Sequence, residues 1–230
     1  MTTNYQLAGA LALILFASAS SLAAQATGAA SFRVFEKGAL VGAVNMTLSP
    51  TEDGWRLQGS SRIAGEVAVD IPNLDLHYDK AWGGRFMTLE MKAPDAAIVH
   101  VAVVGTVTRT DVVRSTEARF RSSSVSPDTI FLADRAYGAY EAVAIRLDGL
   151  PAGADLPLFV APLGETRAQV EAVTTERVMT EKGPIVAKHY SLTEIRERPT
   201  RVEIWIDRGR LLRLDLPRAE ISVVRSDVLP

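Results

Sequence analysis

Three polar residues at alternate positions, Asp75, His77 and Asp79, form the pattern in this sequence with the clearest chemical potential. Residues two apart in a β-strand lie on one face, so the two carboxylates and the imidazole would be neighbours. Such a set could bind a metal ion or relay a proton. The intervening Leu76 and Tyr78, however, would then face the core and leave the polar set in water. A solvated polar face is therefore the preferred interpretation, and no metal is predicted.

The other histidines and the common catalytic motifs predict no active site. His100 lies within an apolar segment, where a core histidine is preferred over a metal ligand, and His189 has no predicted role. The sequence contains no cysteine and no G-x-S-x-G, H-E-x-x-H or glycine-rich phosphate motif. Catalytic residues and cofactors are therefore not predicted, and an enzyme with an unrecognised site is kept as an alternative.

A further set of candidates is apolar and would line the inside of a curved sheet. It comprises Val99, Val101, Val103, Ile204, Ile206, Leu212 and Leu214, which recur at alternate positions of one predicted strand and one predicted hairpin. A curved antiparallel sheet of this size, covered by one helix, can enclose an apolar cavity. The same residues could fill a solid core, and the sequence leaves both interpretations open.

Four arginines between residues 109 and 121 form a mild basic cluster: Arg109, Arg114, Arg119 and Arg121. Two acidic residues in the same stretch dilute it. The preferred interpretation is a charged outer face of a β-hairpin, and an anion site is the alternative.

Short segments of alternating apolar and polar residues, separated by Gly, Pro and Asp, continue through most of the chain. They predict a mainly β fold, an antiparallel meander that forms a curved half-barrel or a sandwich. The segment 98–104 is almost entirely apolar, which predicts a strand buried on both faces. The segment at about 137–148 instead has apolar residues at helical spacing, and predicts one short helix that covers an open sheet face or barrel mouth.

The N-terminal 24 residues have the pattern of a signal peptide, with an apolar stretch from Leu7 to Phe16 followed by small residues. Because a membrane span needs about 20 apolar residues, no stable span is expected after cleavage. The predicted organisation is a signal peptide at 1–24, a linker at 25–31 and a single β domain at 32–230. The predicted location is periplasmic or secreted.

Composition excludes several classes of function. The 230 residues are 47% hydrophobic and carry a formal net charge of −2. This composition is typical of a globular protein and not of a disordered one. Without a basic excess, a nucleic-acid partner is not predicted.

The two ends of the predicted domain carry a resemblance to known proteins. The first is an F-x-V-F-x-x-G-x-x-V-G pattern from Phe32 to Gly42, and the second comprises segments 202–207, 209–214 and 223–227. Together they resemble the N-terminal β domain of some exported bacterial α/β-hydrolases. They are also similar to periplasmic domains of unknown function shaped like lipoprotein-carrier half-barrels. Since the hydrolase serine elbow and triad are absent, the resemblance implies an accessory or binding role.

The function predicted from the sequence is a non-enzymatic domain that binds an apolar, lipid-like small molecule. An accessory domain that contacts an exported hydrolase or an envelope protein is the second interpretation.

Overall fold

A computed structural model describes residues 27–66, 68–196 and 198–229. The described residues form fifteen β-strands, one α-helix and two short 3₁₀ turns. The strands are β1 (Gly28–Glu36), β2 (Ala39–Pro50), β3 (Gly54–Ile63), β4 (Val69–Asp79), β5 (Gly84–Met91), β6 (Ala97–Val104), β7 (Val107–Val113), β8 (Ala118–Ser124), β9 (Ile130–Ala133), β10 (Asp155–Ala161), β11 (Gly164–Thr180), β12 (Gly183–Ile195), β13 (Thr200–Asp207), β14 (Arg210–Leu216) and β15 (Ile221–Arg225). The helix α1 spans Tyr140–Leu147, after a 3₁₀ turn at Tyr137–Ala139. No helix in these ranges is both long enough and apolar enough to cross a membrane.

All fifteen strands belong to one sheet, in the order β8-β7-β6-β5-β4-β3-β2-β1-β15-β14-β13-β12-β11-β10-β9. Successive strands pair as antiparallel neighbours, except that β9 and β10 are parallel. The first and last strands meet in the middle, where Phe32 lies opposite Arg225 and Glu36 lies opposite Ile221. The sheet therefore consists of two meanders joined by the pairing of β1 with β15.

Strand irregularities curl this sheet. Register shifts interrupt five strand pairs, among them β3 with β4 near Gly59 and β13 with β14 near Ile206. A bulge bends a strand and increases its twist, so several of them convert a long sheet into an open, curled one. The predicted mainly β fold with one short helix is confirmed.

The concave face of the curled sheet holds the apolar core. Side chains alternate along β4, where Leu74, Leu76 and Tyr78 are buried and the residues between them are not. The strand β9 is buried along its whole length, because it packs against the inside of β5. Tyr78 donates a hydrogen bond from its hydroxyl to the carbonyl of Phe131 in β9, at 3.1 Å.

The helix α1 covers the core beside β13 and β14, close to its predicted position. It also carries a buried acid, Glu141. Its Oε2 accepts a hydrogen bond from the backbone N–H of Leu211 at 3.1 Å, and its Oε1 lies 3.6 Å from the Nη1 of Arg225. Burial raises the pKa of Glu141 to about 7, against the lowering effects of the Leu211 N–H and the charge of Arg210.

The strand β6 differs from its prediction. Val99 and Val101 are buried, but Ile98 and Val104 are exposed, and His100 is exposed on the same outer face instead of lying in the core. The reason is that β6 belongs to an antiparallel sheet whose convex face is not covered by any element of the described residues, and such sheets bury one face only. Its apolar run therefore does not indicate double burial.

Two predicted boundaries concern the N-terminus. The predicted signal peptide, residues 1–24, lies outside the described residues. The strand β1 begins at Gly28, within the predicted linker at 25–31, and four residues before the predicted domain start at residue 32.

Candidate ligand groove at the sheet seam

The curl of the sheet brings the edge strand β8 close to the β10–β11 turn, where the Nη1 of Arg121 donates to the carbonyl of Leu163 at 3.0 Å. On the other side, Glu165 holds the segment between β8 and β9, because its Oε1 accepts hydrogen bonds from the backbone N–H of Ser126 and the hydroxyl of Thr129. No backbone ladder crosses this gap among the described residues. We call it the seam.

Four neighbouring cavities extend from the seam, and we call them together the seam groove. Their volumes are about 340, 240, 280 and 610 Å³ in order along it. Each adjoining pair shares lining residues: Arg114 and Pro162, then Asp134 and Arg135, then Val160 with Arg196 and Thr200. The two central cavities taken together fall in the size range of small-molecule sites, which is roughly 300–1,000 Å³.

Apolar side chains from both halves of the sheet form the floor of the two central cavities. The lining residues of this kind include Val69, Leu89, Val99, Leu132, Val160, Ala161, Pro162, Leu216 and Ile221. They come from strands β4, β5, β6, β9, β10, β14 and β15 or the turns beside them, so the curl of the sheet creates the floor. An apolar ligand body would replace water over this surface.

Arginines form the rim of the groove. Six line the four cavities: Arg114, Arg119, Arg121, Arg135, Arg196 and Arg198. Four carboxylates also line them, from Asp95, Asp134, Glu165 and Glu194. The groove therefore has a positive excess, although the whole chain has a formal net charge of −2. Three of the four arginines expected on an outer hairpin face, all except Arg109, line this groove instead.

Arg135 occupies the boundary between the two central cavities and contributes to both. Its φ is 59°, in the left-handed region that costs a side-chain-bearing residue energy. Its Nε lies 3.8 Å from Asp134, and its Nη1 lies 3.4 Å from the carbonyl of Ala68. These are long contacts, so the guanidinium keeps hydrogen-bonding capacity for a ligand.

A buried polar set closes the inner end of the 280 Å³ cavity. Tyr140 donates its hydroxyl proton to Glu194 at 2.8 Å, and Arg196 pairs with the other carboxylate oxygen at 2.7 Å. Burial, followed by the charge of Glu194, raises the pKa of Tyr140 well above its ordinary value. Burial likewise raises the pKa of Tyr137 to about 12. Both phenols therefore stay protonated near neutral pH, as hydrogen-bonding groups and not as bases.

The seven predicted cavity residues lie mainly in the core. Val99, Val101, Ile204, Ile206 and Leu214 belong to the main buried cluster, and Val103 packs against it half-buried. Of the seven, Val99 also lines the groove. Leu212 lies on the opposite face from Leu214, contrary to the predicted alternation. A register shift at Trp205/Ile206 places Leu211 opposite Ile206, so Leu211 fills the core and Leu212 joins a small outer cluster.

The predicted polar face of β4 is a set of ion pairs. Asp75 accepts two hydrogen bonds from Arg56, at 2.8 and 2.7 Å, and its Oδ1 lies 3.3 Å from the Nε2 of His77. Hydrogen bonding from Arg56 holds the pKa of Asp75 below its ordinary value. Asp79 instead accepts backbone N–H bonds in the following turn and pairs with Arg85. Across residues 27–66, 68–196 and 198–229, no three His, Cys, Asp or Glu side chains are arranged to hold a metal ion.

The densest polar network surrounds His189, which the sequence did not single out. Its Nδ1 lies 2.6 Å from Glu176 and its Nε2 lies 2.9 Å from Glu203, so both nitrogens contact carboxylates. The ring stacks on Trp205 at 4.0 Å, and the guanidinium of Arg213 lies 5.1 Å from that indole. A histidine with both nitrogens so engaged has none left to bind a metal or a substrate proton. The network therefore holds strands β11, β12, β13 and β14 together on the outer face of the sheet.

Comparisons with known proteins concern the fold. No family model and no curated protein matches this chain. A β-barrel-like protein of the domain of unknown function DUF1849 from Brucella abortus has a TM-score of 0.56 and 9% identity, and the match covers 89% of this chain and 99% of that one. A DUF1089 family protein from Pseudomonas aeruginosa has a TM-score of 0.43 and 15% identity, over 95% and 98% of the two chains. This chain is a β-barrel-like domain.

Proposed function

We propose that this chain is an exported, non-enzymatic domain that binds a lipid-like molecule with an apolar body and an anionic group. The apolar body would lie over the floor of the two central cavities, and the anionic group would contact Arg135. The observation that carries the proposal is the groove itself, in which an apolar floor made by both halves of the sheet is bordered by arginines.

The arrangement of the groove supports binding more than catalysis. Tyr137 and Tyr140 are held protonated, and Glu194 already pairs with Arg196. None of these three side chains is therefore a free base of the kind that acid–base catalysis requires. Arginine, in contrast, presents a planar set of donors that matches a carboxylate or a phosphate.

Decanoate and decyltrimethylammonium, used below their micellar concentrations, are the probes that test the proposal. They share an apolar chain and differ in the sign of their charge. Isothermal titration calorimetry of the purified protein should detect decanoate and show much weaker binding of the cation. In Arg135→Gln, decanoate affinity should fall about tenfold, because a hydrogen bond to a charged group contributes roughly 1.5–3 kcal/mol.

Arg208→Gln provides a matched control. Arg208 also has a left-handed φ, 50°, and also follows an aspartate whose carboxylate is 3.8 Å away, but it lies in the exposed β13–β14 turn. This variant should bind decanoate as the wild type does. Equal binding of both probes, or equal losses in the two variants, would contradict the proposal.

A further inference from the structure

The edge strand β8 has a free hydrogen-bonding side. The backbone N–H of Arg114 donates to the carbonyl of Glu117, and the backbone N–H of Val125 donates to the carbonyl of Thr106. These two bonds determine which residues of β8 form hydrogen bonds with β7. In an antiparallel pair these bonds alternate, so residues 119, 121 and 123 bond to β7. The N–H and C=O groups of Ala118, Phe120, Ser122 and Ser124 therefore point away from the sheet. No other described backbone group bonds to them.

Of the two edges of the sheet, β8 is the accessible one. The other edge strand, β9, is buried along its whole length. Six of the seven residues of β8 are exposed, and Phe120 leaves 66% of its surface in solvent. Open edges with exposed apolar residues are templates for pairing with another strand.

The charges beside this edge select the kind of strand that can pair. Arg114 and Arg119 share one carboxylate, that of Glu117, at 2.9 and 3.0 Å. Arg121 has no carboxylate of the described residues within 4.0 Å and bonds only to a backbone carbonyl. Pairing with a second copy of β8 would bring two sets of arginines together, which is unfavourable across strands. An acidic strand would neutralise them.

The groove provides space on the inner side of the edge. The cavity of about 340 Å³ lies beneath β8 and is lined by Thr110, Val112, Arg119, Arg121 and Pro162 among others. Inward-pointing side chains of an added strand would enter it and meet the arginines. Outward-pointing ones would lie beside Phe120.

We propose that β8 docks an extended, acidic segment of a partner protein by strand addition, with carboxylates at alternate positions facing Arg119 and Arg121. This interaction is distinct from ligand binding at Arg135.

A short capped peptide that alternates glutamate with valine is the probe, and a peptide that alternates lysine with valine is its counterpart. Hydrogen exchange of the full chain should slow at least tenfold at the free amides of Ala118, Phe120, Ser122 and Ser124 when the glutamate peptide is saturating. The lysine peptide should leave these amides unchanged.

Two variants and a matched control separate the effect of backbone pairing from that of charge. Ser122→Pro removes a free edge N–H without removing a hydrogen bond to β7. The melting temperature should therefore be unchanged, whereas the affinity for the glutamate peptide should fall about tenfold. Ser122→Ala should bind like the wild type. Arg121→Glu should weaken the glutamate peptide about tenfold and allow the lysine peptide to bind.

Four results would overturn the inference: no binding of the glutamate peptide at millimolar concentration, equal binding of both peptides, protection at other strands, or self-association of the protein through the same four amides. Decanoate titration of the same preparation reports on the groove separately, so failure of one proposal is distinguishable from failure of the other.

Discussion

Replacing Glu141 by glutamine should remove a pH-dependent loss of stability from this protein. The side chain lies on α1 in a buried site, where burial raises its pKa from 4.5 to about 7. A carboxyl group whose pKa is raised on folding stabilises the folded state below its unfolded pKa, and this contribution is lost as the pH rises through its folded pKa. The wild type should therefore lose stability as Glu141 ionises.

The size of the effect follows from the shift in pKa. The values 4.5 and about 7 correspond to roughly 3 kcal/mol at high pH, of which about 2.5 kcal/mol develops between about pH 5 and about pH 8. Glutamine has a similar shape and can still accept the Leu211 N–H without ever carrying a charge. The difference in stability between the variant and the wild type should therefore change by about this amount across that range.

Urea denaturation followed by tryptophan fluorescence, repeated across this pH range, measures the effect. The contributions of all other ionisable groups are common to both proteins and cancel in the difference. Glu181→Gln, at an exposed turn position, should show no such change.

The contact between Glu141 and Arg225 leads to the opposite expectation for the stability of Glu141→Gln. If a charged Glu141 is stabilised by Arg225, whose Nη1 lies 3.6 Å away, glutamine would remove one of the carboxylates near this buried guanidinium, which also lies 3.3 Å from Asp227. The variant would then be less stable than the wild type at every pH, with no change in the difference. That result would refute the reasoning.

Three other substitutions test the packing and the outer network. Burial opposes ionisation of Glu203, but hydrogen bonds from three neighbouring side chains hold its pKa below 4.5, so its contribution to the stability of the folded state is lost as the pH falls. Glu203→Gln should therefore flatten the acid limb of a stability–pH curve. An unchanged acid limb would contradict this. Gly42→Ala would place a Cβ 2.7 Å from the Cα of Ile63, and should lower the free energy of unfolding by about 1–3 kcal/mol in urea denaturation. Tyr78→Phe leaves the buried carbonyl of Phe131 without its hydroxyl donor and should cost about 1 kcal/mol by the same measurement, with decanoate binding unchanged.

The strands and the helix could be predicted from local patterns because these elements depend mainly on residues that are close together in the sequence. The 3.6-residue spacing around Tyr140 identified α1, and the alternation in β4 assigned its buried face. The same rules misassigned the outer face of β6, since branched apolar residues favour a strand whether or not a second layer covers them. A bulge also reversed the expected orientation of Leu212, because one extra residue changes the face of everything beyond it.

The candidate site depended on contacts between distant segments. The arginines of the groove come from several strands and turns, and only the curl of the sheet brings them to one rim. His189 lies between Glu176 and Glu203, whose strands flank its own. Their registers are set by hairpin turns and by a shift near Val170, so spacing in the sequence does not indicate this network.

The pairing of β1 with β15 has a consequence for how the domain assembles. Every other pair of neighbouring strands in the sheet is also consecutive in the chain, so each meander can form progressively as its strands become available. The central ladder instead joins Phe32 to Arg225, which is the most distant pairing in the described sheet and the slowest kind to close. A chain shortened before Ile221 would expose the hydrogen-bonding edges of β1 and β14 in the middle of the protein. We therefore expect the sheet to be complete only after β15 has paired, and the resistance of the protein to proteases to rise only when β15 is present.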